Sequence, residues 1–260
     1  MKYKRIALFT LLSALSISLT GCDQLRYDSY DDADLYTVID ESVVLSAEQL
    51  DIKTIDIDWG RGNLNVVTSD TGTFSFSEES NKTINEKLKA RYYINGQTLY
   101  IKYADSKTTY NNKLEKTATV TINQSLSVLA NATYSFSLAL GDLDVDSLKA
   151  KTLYMGVAYG NMHSKNLETD NCRMLCDCGK QTHENIAITS KAEIKTNYGD
   201  LSLGTSSAIK GFSLDVNCVS GTLWINTEKF PKESETFYGI HQEKDLQLDI
   251  IENYGNIEIL

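Results

Sequence analysis

Beyond residue 50, apolar side chains recur at every second position, in short bursts broken by glycine. Ile55, Ile57 and Trp59 alternate with Asp56 and Asp58, and after Gly62 the pattern resumes at Leu64 and Val66. Five residues before Gly141, Gly160, Gly179, Gly199, Gly221 and Gly255 stand Phe136, Met155, Met174, Ile194, Val216 and Ile250, all apolar. Six residues before the same glycines stand Ser135, Tyr154, Arg173, Glu193, Asp215 and Asp249, mostly polar. Past the glycine the apolar positions are Leu143/Val145, Leu201/Leu203 and Leu223/Ile225, and a third short apolar element begins at Leu148, Leu167 and Ile186. A period of two predicts strands with one buried face, and no stretch holds a long helical period.

The spacing from Gly141 to Gly221 is 19, 19, 20 and 22 residues, with 34 more to Gly255. A unit this short, made of strands separated by turns, cannot bury its own inner face, and stacking units on one another buries it. Glycine at the corner permits positive φ, and Asp142, Asn161, Asp200 or Asn256 just after it tolerates a left-handed turn. The pattern predicts an all-β fold, a parallel β-solenoid of coils of about 19–22 residues over 51–260. A β-sandwich accounts for the strands but not for the constant period. The unit at Gly179 is irregular, with Gln181 where the others carry an apolar residue. Two segments break the period, 74–117 and 226–247. The first contains strand-like runs around Phe74–Phe76 and Leu99–Tyr103. The final apolar strand, reaching Leu260, leaves an open end; the 226–247 insertion is expected to cover it, a second subunit being the alternative.

The opening Ile52-Lys53-Thr54-Ile55-Asp56-Ile57, the recurring Gly-(Asp/Asn)-(Leu/Ile)-x-(Leu/Ile/Val) corner and the lead-in Ala118-Thr119-Val120-Thr121-Ile122 resemble the putative-adhesin (DUF4097-like) family of bacterial domains, over roughly residues 50–260. The resemblance implies a parallel β-helix and a cell-surface location. Related domains occur in envelope-stress proteins. Asn123 departs from a proline that often follows the lead-in strand in that family.

The N-terminus has a different grammar. Lys2, Lys4 and Arg5 precede the apolar stretch Ile6–Leu19, which is too short to span a bilayer. It closes on Leu19-Thr20-Gly21-Cys22, which resembles a bacterial lipobox. The reading is a cleaved lipoprotein signal peptide over 1–21 and lipidation of Cys22, which would hold the protein on the extracytoplasmic face of the cell membrane. Asp23 resembles an inner-membrane retention signal of enterobacterial lipoproteins. Residues 22–50 are rich in Asp and predict an acidic tether, a fraction of which can fold onto the first coil.

Without the leader, 22 basic residues face 35 acidic ones, a net charge of −13. Such a chain repels nucleic acid and anionic headgroups; cationic, neutral and sugar-like partners remain. Cys172, Cys176 and Cys178 share the parity of the inward positions and read as buried free thiols. Cys218 falls in the column of Cys176, two coils and about 10 Å away, too far to bond. A disulfide within 172–178 and a metal site of Cys176, Cys178 and His183 are weaker readings, and no metal or cofactor is expected. His163, His183 and His241 are scattered, and no nucleophile elbow, phosphate loop or zincin helix is present. Asp142, Asp144, Asp200 and Asp215 are the carboxylates a solenoid glycosidase would use, but Asp142 and Asp200 sit at turns.

The candidate contact residues are aromatic. Tyr159, Tyr198 and Tyr254 each precede a corner glycine, either as a carbohydrate-binding stripe or as a stacked ladder. Trp224 has the opposite parity to Leu223 and Ile225 and is expected to face outward. The functional expectation is a non-catalytic, membrane-anchored lipoprotein that binds or scaffolds an envelope protein or glycan, adhesin-like or envelope-stress-related. The alternative is a polysaccharide-active enzyme on the same solenoid, betrayed by an outward groove of clustered carboxylates with basic residues from adjacent coils. A third reading is self-assembly through the open end.

Overall fold

The computed structural model describes residues 30–40, 42–45, 51–106, 108, 114–205, 212–218, 222–225, 228–229, 236–240 and 246–260, with backbone alone at 205, 212–218, 223–225, 228–229, 236–240 and 246–248. Within these, twenty strands join into one mixed, strongly curled sheet, so the fold is all-β. Among the described residues one α-helical turn, Ser127–Ala130, and two 3-10 turns, Ala33–Leu35 and Glu86–Leu88, interrupt them.

Each repeat unit contributes a strand before the glycine and a strand after it, and these build two faces. On the first face the spatial order is Arg91–Asn95, Thr98–Lys102, Thr54–Arg61, Thr133–Leu140, Lys149–Tyr159, Met162–Cys178, Gln181–Tyr198, Leu246–Tyr254, Phe212–Cys218 and Thr236–Ile240. On the second it is Phe74–Ser80, Lys116–Asn123, Asn63–Ser69, Leu143–Asp146, then the same two long strands, then Leu201–Thr205, Ile257–Ile259, Leu223–Ile225 and Glu228–Lys229. The interior pairings are parallel, with Met155 against Met174 and Met174 against Ile194. Beyond the parallel strands, the pairings at each end of each face are antiparallel, which stops the parallel stack from growing further.

The stacking is out of chain order at both ends. Thr98–Lys102, from the segment read as an insertion, and Lys116–Asn123, which holds the lead-in strand, form a unit lying outside 54–69. At the other end, the unit of 246–259 lies between 191–205 and 212–225, so that Leu201 pairs with Ile257 and Ile257 with Leu223. The strand that ends near Leu260 is therefore not the open end. The last unit is 212–225, and strands from the 226–247 insertion pair along its outer edge. The spacing of 34 residues to Gly255 is explained the same way: the chain leaves the stack, lays down the edge strands and returns one layer inside.

Part of the acidic segment is folded. Thr37–Val38 pairs with Arg91–Asn95 and Ser42–Val44 with Phe74–Ser80, while Ile39 and Leu45 are buried. The irregular N-terminal end is fastened from inside by Lys116. Its side chain is fully buried, forms an ion pair with Glu78, donates to Leu88 O at 2.6 Å and Tyr103 O at 2.8 Å, and lies over the rings of Trp59 and Tyr103. Burial lowers its pKa to about 8 against the opposing pull of Glu78.

The inward positions form one continuous core from Ile39 to Ile259. It includes Phe136, Met155, Met174, Ile194 and Ile250, the residues five before Gly141, Gly160, Gly179, Gly199 and Gly255. The unit at Gly179 stays in register from Gln181 to Ile188. The real irregularity is further on, where Thr189 and Ser190 stand opposite the single residue Asp170. That extra residue makes this spacing 20 rather than 19.

The corner has a steric cause beyond backbone freedom. A Cβ on Gly160 would lie 1.9 Å from the carbonyl oxygen of Gly141, and one on Gly179 would lie 1.7 Å from that of Gly160. The carbonyl of each unit occupies the side-chain space of the next. The Asp or Asn that follows does not adopt the left-handed conformation expected of it; the glycine does. Instead its side chain bridges units. Asn161 N donates to Asp142 Oδ1 at 2.8 Å, Lys180 N to Asn161 Oδ1 at 3.1 Å, and Asn256 N to Asp200 Oδ1 at 2.9 Å. The left-handed residues are Ser147, Asn166 and Asn185, at the next corner.

Gly160→Ala is expected to lower unfolding free energy by at least ~3 kcal/mol. Gly72→Ala, at φ 72° with nothing within 4 Å of the added methyl, should cost about 1 kcal/mol. Urea denaturation of both variants reads the difference, and equal losses would show that stacking imposes no constraint at the corner.

Candidate functional site

Strand alternation divides the chemistry of this chain between a sealed interior and an outer surface. The interior holds a chain of polar side chains running across the units. The Gln181 amide donates to Lys195 O at 2.8 Å and to Thr196 Oγ1 at 2.7 Å. Its oxygen therefore faces His183 Nε2, 3.0 Å away, which must carry the proton; His183 Nδ1 then accepts from Ser164 Oγ at 2.7 Å. Thr196, already accepting from Gln181, donates to Glu252. Every donor points the same way, from Ser164 toward the Glu252 carboxyl, which also accepts from Tyr254 N at 3.1 Å. Glu252 Oε2 has no partner among the described residues. Burial pushes Glu252 up to about 7 and His183 down to about 3. The apparent defect at Gln181 is thus the central link of a buried network, because a polar side chain at an inward position needs polar neighbours in the adjacent units.

On the second face, outward positions align across the sheet. Thr119, Asn65, Asp144, His163, Thr182, Ser202, Glu258 and Trp224 occupy one row in register. Asp146, Lys165 and Glu184 occupy the next. Between the first strands of these rows lies a groove of 560 Å³, lined among others by Asn65, Thr119, Asp144, His163, Lys165 and Glu184. Partial burial raises the Asp144 pKa, opposed by His163.

The corner where the two faces meet carries a second surface feature. Leu140, Tyr159, Cys178, Tyr198 and Tyr254 share one row. The three tyrosines are 53–55% exposed. Tyr198 and Tyr254 stack face to face, with centroids 5.0 Å apart and planes within 2°. Beside Tyr159 lies an apolar groove of 430 Å³ over Gly62, Gly141 and Gly160, bounded by Leu114, Leu140, Arg61 and Glu115.

Residues 52–235 match the family described as Toastrack DUF4097. The chain belongs to this family. No curated protein matches the sequence. Among solved structures, the DUF4097 chain is similar to a putative cell adhesion protein from Clostridium sporogenes, with 16% identity over 86% of this chain and 99% of that one, at a TM-score of 0.48. It is also similar to putative adhesins from Bacteroides fragilis (14% identity, 86% and 97% covered, TM-score 0.33) and Parabacteroides merdae (10%, 90% and 98%, 0.31).

The residues singled out from the DUF4097 sequence are scattered. Cys22 and the leader lie outside the described residues, as does the side chain of Trp224, whose backbone sits at the end of the outward row. Among the described residues no helix is long and apolar enough to cross a membrane. Cys172, Cys176 and Cys178 are free thiols, the first two buried, with pKa values pushed up to about 12 by burial. Cys218 is three strands from Cys176, not two, because Thr196 and Glu252 come between them in the column. His183 is tied to Ser164 and Gln181 at both ring nitrogens. Asp142 and Asp200 bridge units as described. The sequence reading missed the Asp144–His163–Lys165–Glu184 grouping: these residues are neighbours only through a register set by the 19-residue spacing, which was its available signal.

Glu252 has a higher pKa folded than the ordinary 4.5, so its contribution is fully present below about 4.5 and is lost as pH rises through about 7. The depressed His183 acts oppositely: its contribution is present above 6.5 and lost as pH falls toward 3. Lys116 departs from its ordinary behaviour only above about 8. Between pH 6.5 and 8, Glu252 loses the last part of its contribution while His183 gains the last part of its own. Relative to Glu252→Gln, the parent chain should therefore lose a little less than about 1 kcal/mol across that window. Thermal unfolding in a pH series measures both.

Proposed function

We propose that this DUF4097 protein is a lipid-anchored, extracytoplasmic binding protein of the cell envelope, adhesin-like and non-catalytic, built as a parallel β-solenoid. The register of successive units and the column of stacked glycines support the solenoid reading. The Leu19-Thr20-Gly21-Cys22 run supports the anchor.

The observation that carries the binding reading is the segregation of chemistry. Ser164, His183, Cys172, Cys176 and Glu252 face the core and cannot meet a substrate. The outward row instead repeats amide, hydroxyl, imidazole and carboxylate groups at the strand spacing. Such a surface recognises an extended partner by many modest contacts. The net charge of −10 disfavours polyanions such as nucleic acid.

A second reading rests on the groove itself. Asp144, Asp146 and Glu184 with His163 and Lys165 from the adjacent unit are the clustered carboxylates and bases expected of a polysaccharide-active enzyme, and Asp144 is shifted toward its protonated form, as a general acid requires.

Both readings and the anchor are open to test with full-length protein expressed in bacteria. Cys22→Ser should abolish incorporation of labelled fatty acid and release the protein from the membrane fraction. The detergent-solubilised chain should bind isolated envelope saturably, and the combined change Asp144→Asn with His163→Ala should weaken binding about tenfold. Release of new reducing ends from envelope polysaccharide, lost in the same variant, would replace the binding reading with the enzymatic one.

A further inference from the structure

We propose that the glycine corner is a saccharide-binding ridge, on which a neutral glycan chain lies along the stacking direction with one ring seated against Tyr159 and another against the Tyr198–Tyr254 pair. This rests on the reading of the protein as a binding module but names a different surface from the outward groove.

Three observations converge on it. The tyrosines are more than half exposed although they flank a packed corner. Exposed rings held rigidly by a strand offer large contact area at little entropic cost, and their amphipathic character suits a partner that is apolar on one face and polar at its edge. A pyranose ring is such a partner. Next, the groove beside Tyr159 has a floor of Gly62, Gly141 and Gly160, which carry no side chains. With no side chains on that floor, a ligand ring can approach the backbone closely. Leu114 and Leu140 complete an apolar wall, and Arg61 and Glu115, of opposite charge, stand at the rim. In a chain of net charge −10 this is a locally balanced site, which fits a neutral occupant.

The third observation is spacing. Between Tyr159 and Tyr198 there is one intervening position, Cys178. Two strand spacings put the tyrosine positions about 10 Å apart, the same order as a disaccharide repeat in an extended β-linked glycan. Tyr254 stacks on Tyr198 in parallel at 5.0 Å, so the two rings brace each other at the far end and their exposure lies at the edges and outer faces. The ridge is therefore periodic along the axis in which a polymer would run.

The test uses full-length protein in detergent and a neutral oligosaccharide series, N-acetylglucosamine oligomers and β-linked glucose oligomers of one to six units, with affinity read by titration calorimetry. The expected result is affinity that rises with length and levels off once both platforms are reached. Tyr159→Ala and Tyr198→Ala should each weaken the longest oligomer about tenfold, Tyr159→Phe should retain binding, and thermal unfolding should show that the variants are folded. Absence of binding to every oligomer, or binding unchanged in both alanine variants, overturns the proposal. Binding that survives the tyrosine changes and is lost in His163→Ala moves the glycan to the outward groove: the ridge is then refuted while the binding reading stands. Envelope binding without any oligosaccharide binding has the same meaning.

Discussion

At each corner of the repeat a backbone carbonyl fills the volume that a side chain of the next unit would need. From Gly62 against the Lys116 carbonyl to Gly255 against that of Gly199, the contact recurs through six glycines. It fixes the register of neighbouring units, because a slip of one residue would press a Cβ into a carbonyl and turn every inward side chain outward. The Asp and Asn ladder beside it then ties each unit to the next through backbone N–H groups that a turn would otherwise leave unpaired. With the corner set, the inward columns must coincide, and apolar residues five before each glycine meet in the core.

That register has a chemical consequence. It places Gln181 beside Thr196 and His183, and Thr196 beside Glu252, so polar residues that look like faults in single units become one connected network. The network ends on a carboxyl with an oxygen lacking a partner among the described residues, at the unit where the chain returns out of order. The same register, on the other side of the backbone, aligns Asp144, His163 and Thr182 on the surface and lines the tyrosines along the corner. Reactive groups are therefore sorted by strand parity: His183 and Cys172, both strongly perturbed, are buried in the core, and the surface carries repeated hydroxyl, imidazole and carboxylate groups.

Both ends of the stack are managed by the same device, an outer antiparallel partner laid over a unit threaded out of order. At the N-terminal end the buried Lys116–Glu78 pair and its aromatic surroundings hold the segment in place. A buried pair of this kind is costly to break, since either partner alone would be left charged in the core.

The alternation of residues and the recurrence of glycine determined the strands, their inward positions, the unit length and the family resemblance, because each is local: parity and corner geometry are properties of a few consecutive residues. They also determined that Cys172 and Cys176 face inward and that Tyr159, Tyr198 and Tyr254 share a position in the unit. Tertiary structure alone decided which unit lies beside which. The sequence orders Gly199, Gly221 and Gly255, whereas the stack orders Gly199, Gly255 and then the unit of Gly221. The apolar inward columns match in either arrangement and do not distinguish them; what does is non-local, the edge each unit takes and the meeting of Thr196 with Glu252 inside the stack. The pairing of Thr196 with Glu252 and the distance of Cys218 from Cys176 follow from that arrangement, and Thr119 joins the outward groove because the unit holding it lies outside 54–69.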